Sequence, residues 1–73
     1  MVHDLKIENT YLGELISGKK KAEIRVNDRK YAVGDILLFR RPKDNFQFKV
    51  THIHEGLGMK ENYVVLSVKR KSV

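Results

Sequence analysis

Apolar and polar residues alternate with a period of two along several short stretches of this chain, and one stretch carries the helical period. His3-Asp4-Leu5-Lys6-Ile7 alternates and predicts a short strand. Tyr11, Leu12, Leu15 and Ile16 form a single apolar stripe, which predicts a helix over residues 9–17, with Asn9 or Thr10 as its cap and Gly18 as its stop. Ala22, Ile24 and Val26 then alternate with Glu23, Arg25 and Asn27. Read by itself, this strand buries its apolar side and projects Glu23, Arg25 and Asn27 together from the polar one.

Asn27-Asp28-Arg29-Lys30 is rich in turn formers, and Val33-Gly34-Asp35 is a second turn feeding Ile36-Leu37-Leu38-Phe39, an apolar run suited to a strand buried on both faces. Pro42-Lys43-Asp44-Asn45 reverses the chain. Phe46, Phe48 and Val50 alternate, Gly56-Leu57-Gly58 interrupts, and Tyr63 to Val68 is a last strand rich in β-branched residues. About five strands and one principal helix define an α+β, β-rich chain folded as a small, partly closed β-barrel. A helical bundle is incompatible with this reading, and so is exposure of Ile24 and Val26 with Glu23 buried in an apolar core.

The 73 residues suffice for one domain, here taken as 1–73 with a short basic tail at 69–73. There is no cysteine, so neither disulfides nor thiolate metal sites are available, and the cytoplasm is the expected location. No apolar run approaches the length needed to span a bilayer, and the first residues lack the apolar core of a signal peptide, so no membrane association is expected. The net charge of +6 is unevenly spread. Residues 1–17 set Lys6 against Asp4, Glu8 and Glu14, whereas residues 18–31 set six cations against Glu23 and Asp28, and Lys69-Arg70-Lys71 adds three more. Such clustering attracts phosphates, although scattered lysines also simply keep a small domain soluble.

Three segments in order carry a family resemblance: His3 to Ile7, Gly18 to Arg29, and Val33 to Leu37. Together they resemble the bacterial and phage family DUF3850, which looks like a branch of the ASCH domains with their PUA-like barrel. The resemblance runs from His3 to about Val68. It implies a cleft beside the barrel that holds RNA or modified nucleotides, lined here by Gly18, Lys20, Glu23 and Arg25. Fold kinship alone does not fix function.

On their own chemistry, Lys20 and Arg25 suit a phosphate, Arg25 through two parallel hydrogen bonds; the plainer alternative is an ion pair of Arg25 with Glu23 or Asp35. Glu23 can accept from the exocyclic amine of a base. Lys19, Lys21, Arg29 and Lys30 supply the surrounding field, and Asn27 adds a polar contact or merely closes a turn. Gly34 and Asp35 read as structural; the resemblance implies a hydrogen-bonded pair of His3 with Asp4 near the cleft mouth, the alternative being a His3 that is a satisfied structural residue. Tyr31 and Tyr63, beside turns, are the candidate stacking residues. His52 and His54 share a strand face but lack a third ligand, so no metal, cofactor or catalytic residue is assigned.

The expected function is therefore an RNA- or nucleotide-binding module. A related ASCH branch resembles an amidohydrolase of acetylated cytidine that uses a lysine, a threonine and a glutamate. Lys20 matches that lysine, but Glu23 stands at the threonine position, which removes the nucleophilic hydroxyl. A hydrolase of a modified nucleoside and a protein-interaction module of phage or mobile-element origin are the alternatives.

Overall fold

The computed structural model describes residues 1–71, and Ser72 and Val73 lie outside the described residues. Strands β1 (Val2–Leu5), β2 (Ala22–Val26), β3 (Ile36–Arg40), β4 (Asn45–Glu55) and β5 (Tyr63–Lys71) form one sheet in the order β1-β3-β4-β5-β2. The β1–β3 pair is parallel and the other three are antiparallel. The sheet curls into a β-rich half-barrel, and the short helix α1 (Asn9–Ser17), the single helix among the described residues, packs Leu12 and Leu15 into its core.

Helix α1 matches the apolar stripe and the expected range 9–17, with a different cap. The chain enters through Glu8 in extended geometry, and Leu12 N donates to Glu8 O at 3.0 Å, so Asn9 and Thr10 are helical and Glu8 holds the cap position without a side-chain bond. The helix stops at Gly18, whose φ of 81° suits a residue without a Cβ.

The inward face is built from alternate residues of each strand. Leu37, Phe39, Phe48, Val50, Val64 and Leu66 are fully buried there, each stabilising the fold by roughly 1.5–3 kcal/mol. Leu38 is also buried, which agrees with a β3 covered on both faces. In β4 a bulge between Val50 and His52 shifts the alternation by one residue, so Ile53 packs against the core while His52 and His54 stay exposed.

The facing of β2 reverses the expectation. Ile24 and Val26 are exposed and Glu23 is buried, at 7% exposure. The register with β5 is the cause: Glu23 lies opposite Leu66 and Arg25 opposite Val64, and residues directly opposite in an antiparallel pair share a face. Since Val64 and Leu66 are core, Glu23 and Arg25 are carried inward. Glu23 is nonetheless not in purely apolar surroundings, because Arg25 and Lys20 accompany it. The basic segment 69–71 is likewise part of β5, paired with Gln47, Phe48 and Lys49, and not a tail.

Candidate functional site

The sheet order makes β1 and β2 its two edges, and the open seam between them is where polar groups collect. Arg25 Nη2 donates to Lys6 O at 2.7 Å across this seam and to Glu23 Oε2 at 3.3 Å within its own strand. Lys20 Nζ stands 3.7 Å from the other Glu23 oxygen. The guanidinium also lies over the Phe39 ring at 5.9 Å, and its buried Nε has no protein acceptor. Arg25 is thus fixed in position by a carboxylate, a carbonyl and an aromatic face, with its charge offset only in part.

Two open cavities flank this arginine. One, of about 620 Å³, is lined by Asp4, Leu5, Lys6, Arg25, Val26, Asp28, Arg29 and Tyr31. The other, of about 460 Å³, is bordered by Tyr11, Lys20, Glu23 and Tyr63 and shares Lys6, Arg25 and Val26 with the first. Both are in the range of small-molecule sites. Across the two, Lys6, Lys20, Arg25 and Arg29 face Asp4, Glu8, Glu23 and Asp28, so the seam is charge-balanced and not simply basic.

Of the residues singled out from sequence, Lys20, Glu23 and Arg25 meet at one place, and Arg29 joins them through the first cavity. Lys19, Lys21 and Lys30 lie outside the lining of the seam. Asn27 closes its turn by accepting from Tyr31 N at 3.2 Å and borders a separate cavity near Gly56 and Asn62. Tyr31 is not an open stacking platform: its ring is buried against His3, with centroids 4.7 Å apart, and burial pushes its hydroxyl pKa up. His3 pairs with Asp35 at 2.8 Å, and Asp4 with Arg40 at 2.6 Å, in place of the expected pair with each other. Among the described residues no three His, Cys, Asp or Glu side chains are grouped to hold a metal ion.

Sequence reasoning missed Lys6 and Tyr11. Lys6 follows an ordinary alternating strand, and Tyr11 belongs to the helix stripe that reads as core. Tyr11 is instead 48% exposed, with Lys20 Nζ 4.9 Å from its ring centre. Arg41 was also unforeseen: its Nη2 donates to Ile7 O at 2.7 Å, so two arginines hold consecutive carbonyls of the segment that leaves β1.

The fold is similar to that of the crystal structure of the hypothetical protein PH0355. The two superpose with a TM-score of 0.75 at 21% identity, over 97% of this chain and 100% of that one, a likeness of fold alone. Residues 2–68 match DUF3850, a domain of unknown function, and the chain belongs to that family. It is also 28% identical over 71 residues to an uncharacterized 12.9 kDa protein in the GpA 3′ region of Escherichia phage P2. The match covers 89% of this chain, which spans 65% of that relative's length. No helix is long and apolar enough to cross a membrane among the described residues.

Proposed function

We propose that this chain is an RNA- or nucleotide-binding module, an ASCH-type member of the PUA-like barrels, with its ligand in the seam between β1 and β2. The observation that carries the reading is Arg25: a guanidinium oriented by Glu23 and by the Lys6 carbonyl, standing between two open cavities. The planar guanidinium holds Lys6 O and Glu23 through Nη2 and keeps Nη1 to donate to a phosphate oxygen, and Lys6, Lys20 and Arg29 supply further charge around it.

The balance of cations and carboxylates favours a nucleotide over an undifferentiated polyanion, since a nucleotide offers phosphate acceptors and base-edge donors together. Tyr11 and Tyr63 border the second cavity and offer faces for a base. That cavity has no Ser, Thr or Cys in its lining, and both Glu23 oxygens face cations, an arrangement that suits holding a ligand better than attacking one. Fluorescence anisotropy of a short labelled RNA at several salt concentrations tests the reading. Binding that weakens in Arg25→Lys at unchanged salt slope supports it, and no binding by the native chain at low salt retires it.

A further inference from the structure

The two basic segments of the sequence, 48 residues apart at Lys21 and Lys69, meet in the fold. The pairing of β2 with β5 sets Ala22 opposite Ser67, and Val68 N donates to Lys21 O at 3.0 Å. Lys20 and Lys21 therefore stand with Lys69 and Arg70 around an open cavity of about 310 Å³ beside Leu15 and Ile16 of α1. On the neighbouring strand Lys49 lies directly opposite Lys69, and Lys71 follows two residues on, so it shares the face of Lys69.

This juxtaposition is costly for the isolated chain. Like charges directly opposite in a sheet repel, and a domain of this size has little stability to spare. Lys21, Lys49, Lys69, Arg70 and Lys71 are all exposed, and none takes part in an ion pair among the described residues. The lining of the cavity contains no carboxylate, in contrast to the seam, where four acids match four cations. Lys20 lines both places, which makes the cationic surface and the seam adjoin.

We propose that Lys49, Lys69 and Lys71, which share one face of the β4–β5 pair, form a phosphate-binding platform for single-stranded RNA, with Lys21 and Arg70 at the rim of the adjoining cavity on the other face, engaging the backbone next to the nucleotide held in the seam. The platform shares its ligand class with the seam reading and rests on different residues. Its lysines bind as point charges, so it contributes affinity without base preference. A lipid surface fits less well, because membrane anchoring combines charge with apolar insertion and none of the strongly exposed large apolar residues is among the cavity's lining.

The experiment uses two labelled probes, a dinucleotide and a 12-nucleotide single-stranded RNA, with the native chain and Lys49→Gln/Lys69→Gln/Lys71→Gln. For the long probe the triple variant binds more weakly, and the slope of log affinity against log salt becomes shallower by about 2, at about 0.7 per phosphate contact. For the dinucleotide, affinity is unchanged. The variant melts at the same or a higher temperature, since a repulsive pair has been removed. Dinucleotide failing to bind while the long probe still depends on the lysines would overturn the seam reading and leave the platform standing. Unchanged long-probe affinity and slope in the variant, no binding of the long probe by the native chain, or tighter lysine-dependent binding to phosphatidylserine vesicles than to RNA, would each overturn the platform.

Discussion

His3 Nε2 lies 2.8 Å from Asp35 Oδ2, joining the first strand to the turn that opens β3, with both residues buried. The ionised carboxylate can only accept, so the imidazole nitrogen carries the proton. Asp35 Oδ2 also accepts from Ala32 N at 3.0 Å, and the His3 ring packs against Tyr31. The pair thereby ties β1, β3 and the wall of the first seam cavity into one unit.

Asp35 makes stability depend on acid. The hydrogen bond from His3, aided by that from Ala32, lowers its pKa from 3.8 to about 2 against the opposing effect of burial. A carboxyl depressed by folding stabilises the chain above its unfolded pKa, and that contribution is lost as pH falls through the folded value. Melting temperature should therefore drop between about pH 4 and pH 2 in the native chain. Asp35→Asn should flatten that part of the profile and cost roughly 1–3 kcal/mol at neutral pH, because buried donors lose a charged acceptor. An equally steep acid profile in the variant would assign the pH dependence to other groups.

Arg25→Lys keeps the charge and removes the planar fork. RNA affinity should fall by roughly 1–3 kcal/mol at nearly constant salt slope if the fork grips a ligand. Since Arg25 also bridges the seam to Lys6 O, a thermal melt of the same variant separates lost binding from lost structure. Equal affinity of the two proteins would reduce the seam to diffuse charge attraction.

Glu23 is held between Lys20 and Arg25, and no Ser, Thr or Cys lines the cavity beside it. Incubation with acetylated cytidine should release no acetate above a protein-free control, measured by chromatography of the nucleoside. Turnover that disappears in Lys20→Ala would establish hydrolysis and displace the binding reading.

The reversed facing of β2 is open to a direct stability measurement. Ile24→Thr and Val26→Thr alter exposed positions and should change unfolding free energy by no more than about 0.5 kcal/mol. Leu66→Ala on the adjacent strand empties a fully buried site and should cost roughly 2–5 kcal/mol. Urea titrations read both, and a large loss from Ile24→Thr would mean that this side of β2 is covered.

The elements themselves were legible in the amino-acid order. Helix α1 with its Gly18 stop, the turn at Gly34-Asp35 and all five strands follow from local periodicity and turn chemistry, which act between residues a few positions apart. The family was legible too, through three motifs in sequence. What the tertiary structure alone decided is which way β2 faces and what its residues meet. Local alternation says that Ile24 and Val26 differ from Glu23 and Arg25, but not which pair is inward. That choice is made by register with β5, whose Val64 and Leu66 hold the core and bring Arg25 across to Lys6 and Lys21 beside Lys69. A strand flipped against its own hydrophobic pattern is stable only where its buried charges find partners, and Glu23, Arg25 and Lys20 supply them for one another.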